Sequence, residues 1–503
     1  MPGLNNRDAA LVALADGRPA LVWQRLIADT ETPVGAALKL IEPGRGDFLL
    51  ESVQGGEVRG RYSLLGLDPD LVFRATGADC EINRAWRHDR SAFAPLPRDS
   101  LAELRALVEA CKIDVPQPLP SALACLVGYF GFETYGLIEE LPRPAPNALD
   151  LPDMLFVRPT LLLVFDRLSD ELFAIAPVWP GGGVPERMVE LAGERIEAVL
   201  ARLAGPAPAP IRTADLPLPA LEPVLVPGEY TRMVLAAKDY IAAGDIFQVV
   251  LAQRFTTPFT LPAFDLYRAL RRINPSPFLY FLDLPGFALT GSSPEILVRV
   301  RDGEVTIRPI AGTRPRGKTP EEDRENEVSL LADPKERAEH LMLLDLGRND
   351  VGRVAEAGTV QVTESYTVER YSHVMHIVSN VVGKLDSAHH DAIDAMFAGF
   401  PAGTVSGAPK VRACQIIAEL EPETRGAYAG GVGYFSPDGS LDSCIVLRTG
   451  VVKDGTLHVQ AGAGIVADSN PDYEQRECEA KAGALIAAAR EAVRVASEAD
   501  YGQ

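Results

Sequence analysis

Apolar residues recur along this 503-residue chain with two different periods, and the changes of period mark out its elements. Runs that alternate, or are wholly apolar between Gly, Pro and Asp, predict strands: FLLESV (48–53), RGRYSLLGL (59–67), LACLVGYFGFE (123–133) and LLLVFDRLSDELFAIAPV (161–178). A helical period appears over 101–111, 188–203, 229–243 and 265–273, and GDIFQVVLAQRF (244–255) reads as a strand. FALTGSSPEILVRV (287–300) and EVTIRPIAGT (304–313) predict a hairpin through Asp302-Gly303, and 359–385 is mostly extended, with long alternation over 366–385. Asp-Gly pairs at 438–439 and 454–455 punctuate a β-rich meander in the last third. Strands interspersed with a few helices, without regular βαβ alternation, predict an α+β fold on antiparallel sheets.

Composition adds a boundary. GPAPAPIRTADLPLPALEPVLVP (205–227) is a Pro/Ala linker, and Gly181-Gly182-Gly183 looks like a surface insertion. The expected division is an N-terminal lobe over 30–178, a variable linker segment over 179–227 and a second domain over 228–487, with residues 1–30 a short helix and lead-in. With 69 acidic against 49 basic residues the formal charge is −20, which argues against nucleic acid and anionic membranes as partners. An anionic substrate then needs a local basic pocket or a metal. Six scattered cysteines, no CxxC, no signal pattern and no long apolar run predict reduced thiols and a cytoplasmic location.

The chemistry-bearing residues gather at predicted turns and helix starts. In DPKERAEHLMLLDLGRND (333–350), Asp333 can cap a helix, Pro334 suits its first position and Glu336 stands where a capping-box acid would. Glu336 and Glu339 share a face, while Leu341, Leu344 and Leu346 are expected to turn towards a core. NPDYEQRECEAK (470–481) repeats the plan, with Asn470 as cap and Glu474, Glu477 and Lys481 on one stripe. Taken singly, each acid pair reads as a solvated face favoured by the helix dipole. Together they could close on one Mg²⁺, which takes few carboxylates and completes its octahedron with substrate oxygens and water. RPIAGTRPRG (308–317), GTVSGAPK (403–410) and QAGAGIV (460–466) offer tight glycine turns; in the second, free N–H groups and Lys410 would suit a carboxylate. Arg448, ending the apolar run CIVLR, is either solvated or drawn inward.

These strings, together with GDIFQVV (244–250), RYSHVMH (370–376) and YAGGVGY (428–434), resemble the chorismate-utilising enzymes. Among these, the resemblance is to the anthranilate synthase component I branch, from about residue 49 to 485. It implies large antiparallel sheets packed face to face, helices outside and an N-terminal regulatory lobe. It implies Mg²⁺ held by Glu339 and Glu477, with Glu336 and Glu474 acting through water. Gly312, Thr313 and the turn Gly462, Ala463 and Gly464 would frame the substrate, and Tyr428 with Arg448 would clamp its enolpyruvyl carboxylate. His376 would be the acid–base residue with Thr404 beside it, and Lys481 would balance the acids; outside this motif His376 reads as a core histidine.

Two positions choose the branch. Water-adding relatives typically carry lysine where this chain has Gln248, and 4-amino-4-deoxychorismate synthases a PIKGT lysine where it has Ala311. Both point to ammonia and anthranilate, with aminodeoxychorismate synthase component I as the alternative. Since no cysteine sits in a glutaminase context, a separate glutamine amidotransferase subunit is expected, in a heterotetramer. LLES (49–52) with RGRYSLLG resembles the family's tryptophan-sensing segment. Glu51 or Ser52 would meet the ammonium of tryptophan as inhibitor, Pro277, Phe278 and Leu279 would form the apolar wall, and Val432 and Tyr434 would complete it. Phe278 and Leu279 depart from the Tyr and Met frequent there.

Overall fold

The structure is a computed structural model that describes residues 3–54, 58–120, 123–142, 146–181, 183–209, 213, 216–371 and 374–497. Gly182 of the glycine triplet, residues 210–212 and 214–215 of the linker, and Ser372 and His373 of RYSHVMH lie outside the described residues. Among the described residues are two antiparallel sheets of twelve strands each. The inner strands, such as Leu126–Phe130, Leu161–Asp166 and Phe287–Ser293, are buried on two faces, which explains why so many runs read as continuous rather than alternating apolar sequence. Phe48, Leu64, Leu162, Val164 and Ile175 point between the sheets, while Leu49, Leu65, Leu163 and Ala174 point into a second cluster under helices. Across the interior Tyr129 of one sheet meets Phe287 of the other edge-on, with ring centroids 5.9 Å apart.

The composition break at 205–227 does not divide the fold. Phe48–Gln54 pairs with Phe278–Leu284, Phe48 opposite Leu282 and Ser52 opposite Phe278. In the other sheet Leu126–Phe130 pairs with Gly431–Phe435, Leu126 opposite Phe435. Both sheets therefore take strands from both expected lobes, and one hydrophobic cluster runs from Leu21 to Ala496. The lead-in holds a strand of its own, Ala20–Ile27, and the segment expected to be a variable linker holds the helix Pro185–Leu203. That helix buries Val189, Ala192, Ile196 and Val199, so it belongs to the core. Among the described residues no helix is long and apolar enough to cross a membrane.

Two helices position the site. Pro334–Gly352 begins where the Asp333 carboxylate accepts the backbone N–H groups of Lys335 and Glu336, a cap contributing about 1 kcal/mol. Leu343 and Leu344 face the core, whereas Leu341 is 49% exposed and Leu346 half-buried, contrary to the expected stripe. Pro471–Ser497 is capped by Asn470, whose side-chain oxygen accepts the Tyr473 N–H at 3.1 Å. The hairpin through Asp302-Gly303 forms with both residues at positive φ, 52° and 74°, as a tight Asp-Gly turn requires.

Candidate functional site

A cleft of about 790 Å³ opens between the starts of these two helices and the strands Gln248–Pro258 and Thr456–Ile465. Glu336, Glu339, Glu474 and Glu477 all line it, so acids some 140 residues apart in the chain share one space. Their charges crowd. Burial, then the neighbouring Glu336 and Glu477, raise the pKa of Glu339, against hydrogen bonding from the Gln248 side chain and the charge of Lys335. Burial likewise raises Glu474, with Glu477 adding to it. Glu336 Oε1 takes Arg314 Nη1 at 2.9 Å, and Glu477 Oε1 takes Lys481 Nζ at 2.7 Å. Lys481 Nζ also donates to the Gly462 carbonyl at 2.9 Å, tying the second helix to the glycine strand. Among the described residues no three acid, histidine or cysteine side chains converge closely enough to hold a metal by themselves. The donor set suits a hard cation that takes one or two carboxylates and finds its other oxygens in water and substrate.

Opposite the acids the wall is backbone. A Cβ on Gly464 would stand 2.5 Å from Gln248 Nε2, and one on Gly462 would stand 2.9 Å from the Leu251 carbonyl and 3.0 Å from the Tyr428 hydroxyl. Only glycine leaves this strand open to a ligand. Ala463, between them, is fully buried and lies outside the cleft lining, contrary to its expected place in the substrate frame.

Tyr428 and Arg448 line the cleft. Arg448 adopts a left-handed backbone, φ 48°. Burial lowers the pKa of its guanidinium, which makes no hydrogen bond or ion pair among the described residues. A guanidinium drawn out of water without a carboxylate is costly unless an anion arrives.

His376, Gly312, Thr313 and Ala311 are not among the residues lining this cleft; Thr313 is exposed and His376 half-buried. His376 Nδ1 is 3.0 Å from Thr313 Oγ1 and 3.1 Å from the Gly312 carbonyl oxygen. A carbonyl only accepts, so Nδ1 carries the proton and Nε2 keeps its lone pair. Burial chiefly, with the nearby Arg448 charge, pushes the imidazole down to about 4, so it is neutral at pH 7. Gly312 backs onto Glu336, where an added Cβ would sit 3.2 Å from Oε2. Ala311 is a buried strand residue opposite Ile377.

Thr404 lines the cleft, and its hydroxyl is engaged by a residue the sequence reading passed over: Oγ1 donates to Glu295 Oε2 at 3.1 Å. Glu295 is 7% exposed. Burial pushes its carboxyl up to about 8, only partly offset by hydrogen bonds from Thr404 and the Ile310 backbone. Its one signal was position, a lone acid in the uncharged run FALTGSSPEILV. Lys410, read as a carboxylate partner, is instead buried against Asp350, Nζ to Oδ2 2.9 Å.

A second cavity of about 370 Å³ brings together Glu51, Ser52, Phe278, Leu279, Val432 and Tyr434, while Pro277 lies outside its lining. Glu51 is spoken for: it accepts Arg167 at 2.6 Å, Arg271 at 2.6 and 3.0 Å, and the Tyr267 hydroxyl at 2.7 Å. That leaves Ser52 as the polar group of the pair available to a ligand.

A sequence profile described as chorismate binding enzyme matches residues 47–487. Anthranilate synthase component 1 of Cereibacter sphaeroides is 52% identical over 488 residues, 97% of either chain. That of Pseudomonas putida is 46% identical over 486 residues, 95% of this chain and 96% of the other. The crystal structure of anthranilate synthase component I from Streptococcus pneumoniae superimposes with a TM-score of 0.75 at 38% identity, covering 85% of this chain and 92% of that one. The menaquinone-specific isochorismate synthase of Escherichia coli, 20% identical, shares the fold with a TM-score of 0.70 over 96% of this chain and 99% of its own.

Proposed function

Since this chain belongs to the chorismate binding enzyme family and is a chorismate-utilising enzyme, we propose that it is the synthase subunit converting chorismate and ammonia to anthranilate, pyruvate and water. The observation that carries this reading is Arg448, a half-buried cation with no hydrogen bond or ion pair among the described residues, lining a cleft rimmed by acids. Chorismate is a dianion. Arg448 and the Tyr428 hydroxyl bind the enolpyruvyl carboxylate, and the open backbone at Gly462 and Gly464 admits the ring carboxylate. Glu339 and Glu477 would hold Mg²⁺, with Glu336 and Glu474 acting through water; the crowding of like charge that raises Glu339 fits a cation there. When bound, the ion supplies positive charge next to the ring carboxylate.

Ammonia adds at C2 as the C4 hydroxyl departs. Glu295, protonated at neutral pH, gives its proton to Thr404 Oγ1 as the Thr404 hydroxyl turns its own proton from Glu295 to the leaving oxygen. Neutral His376 offers its Nε2 lone pair to the C2 proton when pyruvate is eliminated and the ring becomes aromatic. Gln248 beside Glu339 offers no base to activate water, which favours an amine donor. Ala311, where a nucleophilic lysine would divert the reaction, favours completion to anthranilate.

All six cysteines are buried, which supports a separate glutamine amidotransferase subunit as the ammonia source. The heterotetramer and tryptophan inhibition through the Ser52 cavity belong to the same reading. The test is direct. Purified chain with chorismate, MgCl₂ and ammonium yields fluorescent anthranilate and one equivalent of pyruvate. Consumption of chorismate without pyruvate release assigns 4-amino-4-deoxychorismate instead, and no turnover refutes both.

A further inference from the structure

Arg425 is a fully buried arginine, 2% exposed, outside the cleft lining, yet two segments that build the cleft end on its guanidinium and a third on its backbone carbonyl. Nε and one Nη hold Glu421 at 2.9 and 2.6 Å. The remaining bonds go to two carbonyl oxygens, Val405 at 2.7 Å and Val250 at 2.7 Å. Glu421 then accepts the Ala252 backbone N–H at 2.8 Å. Val405 follows Thr404 in the short turn Gly403–Val405, and Val250 lies two residues beyond Gln248 on the strand Gln248–Pro258. The Arg425 carbonyl accepts the Tyr428 N–H at 3.2 Å, and its guanidinium lies 5.6 Å from the centre of the Tyr428 ring. On the far side the Glu133 carboxyl accepts the backbone N–H groups of Arg425 and Gly426 at 2.7 and 3.0 Å.

A buried ion pair is weak evidence of stabilisation, because well-packed apolar residues often serve as well. This one is spent on direction. A planar guanidinium fixes the bearings of its donors, so the Thr404 turn, the Gln248 strand and the Tyr428 loop are held at set angles to one another. Lysine, a point charge with three rotatable donors, cannot reproduce that fork.

We propose that Arg425, with Glu421 as its counter-ion, is a positioning residue for the reaction, holding Thr404 and Tyr428 in register across the cleft without touching substrate. The proposal rests on the reading of that cleft as the chorismate site.

The test compares the full chain with Arg425→Lys, with the apolar pair Arg425→Met/Glu421→Leu, and with each combined with Tyr428→Phe. Melting temperature, kcat and KM for chorismate are measured with saturating ammonium. The expected result is a variant that folds and melts near the native temperature while kcat/KM falls about ten- to a hundred-fold, as displacements near 1 Å produce. Tyr428→Phe then costs less in the variant than in the native background. The proposal is overturned if a folded variant keeps native kcat and KM, or if the two losses multiply independently. It is equally overturned if activity falls only with the folded fraction, or if no variant folds, since Arg425 is then a folding element. A native chain that makes no anthranilate sinks the reading of the cleft instead, and does so before any variant is compared.

Discussion

Replacing Arg448 with methionine should move catalysis and stability in opposite directions. Methionine keeps most of the apolar stem and removes the charge, and both residues face the same left-handed backbone at φ 48°, so that strain cancels. Truncating one partner of a buried, hydrogen-bonded charge pair costs about 2–5 kcal/mol. For chorismate held by this guanidinium that is a loss of roughly thirty-fold to several-thousand-fold in kcat/KM. In the substrate-free chain the guanidinium is partly drawn out of water on the cleft wall, with no carboxylate among the described residues to offset the cost. Removing it returns about 1 kcal/mol, which at about 2.1 cal/mol/K per residue raises the melting temperature by about 1 °C. Steady-state anthranilate fluorescence gives the first quantity and thermal unfolding without substrate the second. A variant that loses stability along with activity, or keeps its KM for chorismate, refutes the anion clamp.

Glu339→Gln and Glu477→Gln should each abolish the rise in melting temperature that MgCl₂ gives the native chain and lower kcat at least about a hundred-fold; a full Mg²⁺ shift in either variant counts against its ligand role. Glu295 sets a pH dependence with a definite sign. The folded carboxyl titrates near 8 and the unfolded one near 4.5, so its contribution to stability is complete below about 4.5 and is lost as pH rises through about 8. Glu295→Gln should flatten that slope, and kcat of the native enzyme should fall on an alkaline limb near 8 that the variant lacks; matching profiles would remove Glu295 as proton donor. Ser52→Val should weaken tryptophan binding about ten- to a hundred-fold by calorimetry, the worth of one hydrogen bond to a charged group, and unchanged affinity would move the ammonium contact elsewhere.

The acid pairs were legible because a helix start is written locally: a cap, a proline and acids at i, i+3 need no knowledge of the rest of the chain. Glycine turns were legible for the same reason. Partners reached through space were not. Nothing in GTVSGAPK shows that Lys410 will be taken by Asp350, 60 residues earlier, or that Arg167 and Arg271 will both close on Glu51. Glu295 escaped notice because one acid at a strand end has neither period nor neighbour to mark it, and its perturbed carboxyl is a product of burial alone. The sheets show the same limit. Many runs of strand residues could be read from their own pattern, though Ala20–Ile27 was not, and Leu126 opposite Phe435 is a pairing without local signature, so a composition break passed for a boundary between lobes.

That pairing also bears on synthesis. Leu126–Phe130 leaves the ribosome some three hundred residues ahead of Gly431–Phe435, and Phe48–Gln54 waits for Phe278–Leu284. Until the later strands emerge, the early ones present unpaired apolar edges. Gene fragments split at the proline-rich segment should therefore be insoluble when expressed singly and recover only when both halves are made together.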